Sequence, residues 1–455
     1  METLVIAIFV LGYAGIAFEH PLKVNKTAVA LVTGILCWTV FMLSSPAATL
    51  TGSEAWAHFL DILGLESATD EVSALGQTEI HREFVLFALN EHLAEIAQIL
   101  FFLLGAMTIV ELVDSHQGFR FITDRIRTRN PTKLLWALGW ITFFLSAILD
   151  NLTTSIVMIS LVRKLIGNRE TRLYFAGMVV IAANAGGAWS PIGDVTTTML
   201  WIGGQITTMN LITGLFLPSA VCLLIPLVLL SFTMKGDLGV PEDSTQPQSQ
   251  QAIRGARRVL AVGIGALVSV PIFKTVTHLP PFTGMMLGLG ILWLLSDYIH
   301  SELHEDNKRQ FSVTGALSRI DVPSALFFLG ILLAVGALSS MQLLMEFAEF
   351  LNSSFGDLHI IVILIGFLSA IVDNVPLVAA SMGMYPMETF PTDHFLWQFL
   401  AYCAGTGGSM LIIGSAAGVA VMGMEKVDFI WYLKRISWLA MAGYLGGAAT
   451  YLLLM

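Results

Sequence analysis

A chain of 455 residues with 55% hydrophobic and only 12% charged residues is not a soluble globular protein, because such proteins carry roughly 25% charged residues. A mean hydropathy of +0.76 and recurring apolar runs of about 17 residues or more describe an all-α polytopic membrane protein. The net charge of −10 excludes little, since acids and bases in such a chain sort by membrane side.

The opening METLVIAIFVLGYAGIAFEH lacks a basic leader and a cleavage site. It reads as the first span and not as a signal peptide, and no Arg- and Ser-rich transit peptide precedes it, which favours a bacterial plasma (inner) membrane over an organelle. Spans are expected at about 3–18, 27–43, 86–113, 173–203 and 207–232, with a broken pair at 134–164. A second set is expected at about 258–277, 281–299, 322–350, 394–424 and 429–454, with a broken pair at 358–385. With Met1 outside, all of the 23 Lys and Arg residues except Arg82 and Lys274 fall inside. The outer segment 44–85 instead carries acids such as Glu66, Asp70 and Glu71. This positive-inside bias survives only if each broken pair enters and leaves on one side, as a re-entrant hairpin. Each half then has five crossings, so the second half is inverted relative to the first. The expected plan is a first repeat at 1–232 (hairpin 134–164, broken helix 173–203) and a second at 258–455 (hairpin 358–385, broken helix 394–424). A Pro-, Ser- and Gln-rich cytoplasmic linker over 233–257 joins them, and both termini are expected on the periplasmic side.

The two hairpins share a motif. SAILDNLTTSIVMIS at 146–160 and SAIVDNVPLVAASMG at 369–383 align at a constant offset of 223, placing Asp150-Asn151 and Asp373-Asn374 at equivalent depth. A carboxylate inside the membrane is costly unless it faces a cavity, a partner or an ion. A Gly-rich break follows each hairpin, NAGGAWSPIGDVTTTMLW at 184–201 and GTGGSMLIIGSAAGVAVMG at 405–423, at an offset of 221. Breaks free backbone carbonyls, which membranes tolerate where they line a cavity. Asn184, Asp194, Thr196, Thr197 and Thr198 add oxygens in the first repeat, while Ser415 replaces Asp194 in the second. Carboxylates without nearby Lys or Arg suit a cation, and protons would compete with it for the same oxygens. The competing reading makes Asn151 and Asn374 helix caps.

Elsewhere, Glu95 and Glu111 on the third span are candidates for a proton path. Asp114 and His116 read as solvated at the inner boundary, and Glu346 and Glu349 as wet at a span end. Cys37, Cys222 and Cys403 lie in separate apolar runs and read as packing residues.

At SAILDNLTTSIVM, NAGGAWSPIGDVTTTMLW, SAIVDNVPLVAA and the GTGGSMLIIGSAAG run, the sequence resembles the NhaD-type sodium/proton antiporters of the ion transporter superfamily. The opening FEHPLKVNKTAVAL shares the likeness, which covers essentially the whole chain. The resemblance implies exchange of inward protons for outward Na⁺ or Li⁺, a homodimer, and a scaffold part beside a transport part that holds both hairpins. Carried over by position, it implies cation-binding and proton-coupling roles for Asp150, Asn151, Thr154, Asn184, Asp194, Thr196, Thr197, Asp373, Asn374, Ser409 and Ser415. Among these, Na⁺ is expected at Asp150, Asp194 and Asp373. The expected partners are an alkali cation, protons, the lipid bilayer and a second copy. No enzymatic activity, cofactor or nucleic-acid partner is implied. A carrier for an anion such as a carboxylate or arsenite is the alternative.

Overall fold

The backbone polar groups of an apolar chain must be satisfied internally, so its hydrophobic runs fold as helices. The computed structural model describes residues 1–44, 54–62, 77–119, 128, 130–234, 238–239, 255–302 and 309–455. The acids Glu66, Asp70 and Glu71, most of the 233–257 linker and most of the basic run at 120–130 lie outside the described residues. The principal helices are α1 (Glu2–Ala17), α2 (Lys26–Leu43), α3 (Gln77–Ser115), α4 (Pro131–Leu149), α5 (Asn151–Leu165), α6 (Arg169–Gly187), α7 (Val195–Ile202) and α8 (Thr208–Thr233). They continue as α9 (Ala256–Thr277), α10 (Pro281–Ile299), α11 (Val322–Ser340), α12 (Leu343–Phe355), α13 (Leu358–Ser369), α14 (Asn374–Met384), α15 (Phe395–Gly407), α16 (Ala416–Glu425), α17 (Phe429–Arg435) and α18 (Ser437–Leu454). Among the described residues eight helices are long and apolar enough to cross a membrane. The count is nine if α12 and α13, bent by 112° at their break, form one span. The chain is a multi-pass membrane protein.

Local chemistry sets the helix ends. Asn25, Asn130 and Asn168 cap α2, α4 and α6 by accepting from backbone N–H groups of the first turn, which satisfies donors the helix cannot. One expected span is corrected. The run 322–350 is two helices, because α11 stops at Ser340 and Gln342 adopts a left-handed φ of 64° before α12 begins. The α12 segment buries Leu343, Leu344 and Ala348 and exposes Glu346 and Glu349. The left-handed residue at Gln342 breaks the right-handed helix and redirects the chain there. The last span is also interrupted, at Ile436 between α17 and α18.

The chain divides into two compact units. The first comprises Met1–Leu100, Val322–Ile361 and Val375–Phe390. Within it α2 packs along α11, and the buried Trp38 indole donates to the Leu333 carbonyl at 2.8 Å. The second comprises Phe101–Asp321, Val362–Asn374 and Pro391–Met455. Here α8 packs on α18, α4 on α6 and α9 on α10. His116 was expected in solvent, yet it is buried in this unit. Its Nδ1 lies 2.7 Å from the Leu112 carbonyl and its Nε2 lies 3.0 Å from Nε2 of His300. A carbonyl can only accept, so Nδ1 carries the hydrogen and Nε2 accepts from His300. Burial pushes His116 down to about 4, so the imidazole is neutral at physiological pH. All three cysteines are free and buried.

Candidate functional site

The site grows from four helix starts in the second unit. Asp150, alone between α4 and α5, sits at φ 80° and ψ 161°, a region that residues other than glycine rarely occupy and that costs on the order of 1–3 kcal/mol. What its carboxylate does there is visible. It caps α5, with Oδ1 accepting from the Thr153 N–H and Oδ2 from the Thr153 hydroxyl, both at 2.8 Å. The cap is therefore Asp150 and not Asn151. Freed from capping, the buried Asn151 amide donates to Oδ1 of Asn184 at 3.1 Å and to Oδ2 of Asp194 at 3.2 Å.

Asp194 occupies the break between α6 and α7. It is 2% exposed and caps α7 by accepting from the Thr196 N–H at 3.3 Å. From the start of α14, the Asn374 amide reaches the same carboxylate at 3.2 and 3.4 Å. The hydrogen bonds on Asp194 thus come from neutral groups, two side-chain amides and one backbone N–H. Asn184 completes the link. Its amide nitrogen donates to the hydroxyls of Ser409 and Ser415, each at 2.9 Å. Asn151, Asn184, Asp194, Asn374, Ser409 and Ser415 form one connected buried network. Asp150 and Asp373, each half-buried, are within electrostatic reach of the Asp194 carboxylate.

The other expected residues divide. The hydroxyls of Thr154 and Thr196 are fully buried without a hydrogen-bond partner, so each keeps lone pairs for a ligand. Thr197 is committed to the backbone, donating to the Ser190 and Asp194 carbonyls at 2.8 and 2.9 Å. Thr198 does the same with Pro191 and Asp194. Glu111 forms an ion pair with Arg319. The Glu95 side chain is 73% exposed beside His92.

Sequence reasoning missed Ser146, Ser155 and Ser369. Ser155 adds a second unpartnered hydroxyl next to Thr154. Ser146 donates to the Ala183 carbonyl at 2.6 Å, and Ser369 to the Ala404 carbonyl at 2.7 Å. Those two bonds are related by the same offsets, 223 and 221, that align the motifs. The shared Ser of the SAIxDN motif was the available signal. Ser146 straps α4 to α6 and Ser369 straps α13 to α15, and α6 and α15 are each the helix that precedes a break.

Two glycines make that strapping possible. A Cβ on Gly186 would collide with the Phe143 backbone, and one on Gly407 with the Gly366 backbone. Gly186→Val is therefore expected to give little folded protein, since backbone cannot yield as a flexible side chain can. Gly290→Ala, with nothing within 4 Å of the new Cβ, is expected to leave yield and thermal midpoint unchanged. Fluorescence-detected size exclusion in detergent compares the two.

The arrangement is a buried cluster of carboxylate, hydroxyl and amide oxygens, and the hydrogen bonds to Asp194 come from uncharged groups. Hard oxygen donors of this kind suit a small hard cation. Comparison with known proteins gives a consistent result. A family model described as citrate transporter matches residues 13–405. Sodium/proton antiporter 1 of Arabidopsis thaliana is 50% identical over 98% of this chain and 71% of its own length. Sodium/proton antiporter 2 of the same plant is 47% identical, with 98% of each chain covered. The Na(+)/H(+) antiporter NhaD of Vibrio cholerae is 33% identical over 83% of this chain and 82% of that one. Matched from end to end at these identities, the chain belongs to the citrate transporter family and, within it, to the NhaD-type sodium/proton antiporters.

Proposed function

We propose that this protein is a secondary active transporter that exchanges cytoplasmic Na⁺ or Li⁺ for external protons by alternating access. The observation that carries this reading is Asp194, a buried carboxylate whose hydrogen bonds come from the amides of two different helix breaks. Neutral donors leave its charge uncompensated, and an uncompensated buried charge is costly. An alkali cation or a proton can supply the missing charge, but the two cannot share it fully. Each therefore displaces the other, and exchange follows from that competition. Asp150 and Asp373 add negative charge, and the Thr154, Ser155 and Thr196 hydroxyls add neutral oxygen ligands.

The sites of cation binding are the hairpin tips and the unwound segments between α6 and α7 and between α15 and α16. We take α4–α5 and α13–α14 as re-entrant hairpins in two inverted repeats. The matched Ser146–Ala183 and Ser369–Ala404 bonds support a repeat. The positive-inside bias of the sequence supports the inversion, with both termini on the outer side. A homodimer and a moving transport part accompany this reading through the family resemblance. Relatives occur in bacteria and in a plant, and the protein works in an energised membrane with its basic loops on the inner side.

The test is purified protein in liposomes carrying an internal pH dye. Adding NaCl or LiCl alone is expected to move protons across the membrane, and citrate without Na⁺ to move none. Proton movement that requires a carboxylate anion would replace the antiport reading with an anion carrier.

A further inference from the structure

Glu425 has no part in the site, yet it is 5% exposed and held by two arginines. Its Oε1 accepts from Arg163 Nε at 2.6 Å and its Oε2 from Arg172 Nε at 2.8 Å. Arg172 also donates to the Ile166 carbonyl at 3.3 Å. The three residues lie on different helices. Arg163 is in the last turn of α5, Arg172 in the first turn of α6, and Glu425 is the final residue of α16. Those helices carry Asn151, Asn184 and, as the cap of α16, Ser415. Following each helix from the ion cluster to its site residue covers roughly 15–18 Å at 1.5 Å per residue. The three arms are thus nearly equal in length. The cluster joins their far ends and the Asn151–Asn184–Ser415 bonds join their near ends, so the helices are tied at both extremities.

The repeat supplies a comparison. The offset of 221 carries Arg172 onto Asp393 and Glu425 onto Gly204. There the second contact of the kind is found, in a different chemistry. Asp393 accepts from the Thr207 N–H at 2.7 Å and the Thr207 hydroxyl at 2.9 Å. Thr392 donates to the Gly204 carbonyl at 2.8 Å. This counterpart ties the segment just before α15 to the connection between α7 and α8. It is polar and largely exposed, whereas the Glu425 cluster is ionic and partly buried, with the Glu425 side chain 1% and the Arg163 side chain 46% exposed. One end of the transport core is therefore fastened more tightly than its repeat-related partner.

Resting on the antiport reading, we propose that Glu425 is a positioning residue that sets cation affinity by clasping α5, α6 and α16 through Arg163 and Arg172. Removing its charge leaves two arginines in a partly buried site without their counter-charge, and it releases the three arms at the end opposite the ligands. The ligand network then loosens, which weakens cation binding more than it slows turnover.

The experiment measures Na⁺ affinity and transport separately. The Na⁺ concentration that half-maximally raises the melting midpoint in detergent reports binding; Na⁺-evoked proton flux in liposomes reports transport. In Glu425→Gln both half-maximal concentrations are expected to rise about tenfold, in the range of energetic couplings carried through packed elements, with maximal flux kept within about twofold. Glu425→Asp should recover most of the affinity, and Asp393→Asn should change it by less than about threefold. If Glu425→Gln does not fold, Arg163→Gln and Arg172→Gln, each leaving one arginine on Glu425, are expected to show smaller shifts in the same direction. Wild-type half-maximal Na⁺ in the folded variants, or a fall in maximal flux alone, overturns the clasp. Na⁺-stabilised wild-type protein without Na⁺-evoked proton flux overturns the antiport reading instead, and the melting series still decides the clasp.

Discussion

Asp194→Asn is expected to abolish Na⁺-evoked proton flux in liposomes while the protein remains folded. The substitution keeps the size of the side chain and one carbonyl oxygen, so the contacts with Asn151 and Asn374 at 3.2 Å can be partly retained. The change that matters is the lost charge. At about 4 Å and an effective dielectric near 20, a carboxylate attracts a monovalent cation by about 4 kcal/mol. Losing that attraction lowers affinity by about a thousandfold. The variant also has no titratable group at the centre of the network, so proton exchange fails with cation binding. Asp194→Glu, which restores the charge on a longer arm in a fully packed break, should recover only part of the activity. Wild-type flux in Asp194→Asn would remove Asp194 from the centre of the site and leave the network a structural feature.

The second large effect separates stability from function at one residue. Asp150 adopts a backbone conformation that glycine occupies without strain, and its side chain caps α5. Asp150→Gly relieves strain worth on the order of 1–3 kcal/mol. It gives up a cap worth about 1 kcal/mol and gains the flexibility of an unfolded glycine, worth roughly 0.5–1 kcal/mol. These contributions nearly cancel, so its melting midpoint should stay within a few degrees of wild type. Asp150→Ala keeps the strain and loses the cap, and should melt clearly lower. Both variants remove a carboxylate from the pocket, so both should lose most of their Na⁺-evoked flux. Scanning calorimetry or dye-based melting, run beside the flux assay, tests the pair. A glycine variant that melts no higher than the alanine variant would show that the backbone is not strained; one that transports normally would show that the carboxylate is dispensable.

Much of the site was legible because the chain states it twice. The SAIxDN motifs and the two Gly-rich breaks share fixed offsets, and buried polar residues at equivalent depth in two apolar segments have few uses besides a shared site. That reasoning singled out Asn151, Asn184, Asp194, Asn374 and Ser415, the family resemblance added Ser409, and the six form one hydrogen-bonded network. Roles within the list were less accessible. Whether Asp150 or Asn151 caps α5 depends on a single backbone angle, and neighbouring residues in a polar dipeptide have similar capping propensity. Thr197 and Thr154 look alike in sequence. Only the path of the chain through the break decides that one hydroxyl is spent on carbonyls while the other stays free.

Composition and hydropathy determined by themselves that this is a helical membrane protein, since a bilayer leaves an apolar backbone no other open course. The repeated motif marked the buried polar residues that meet in one network, because an acid inside the membrane is costly unless it faces a cavity, a partner or an ion. Three features required the tertiary structure: the end of α11 at Ser340, the burial of His116 against His300, and the junction of Arg163, Arg172 and Glu425. Each depends on residues far apart in sequence meeting, or on a local choice between helix and turn made by the surroundings. Hydropathy averages over such choices, and pairing partners separated by more than 180 residues leave no local pattern to read.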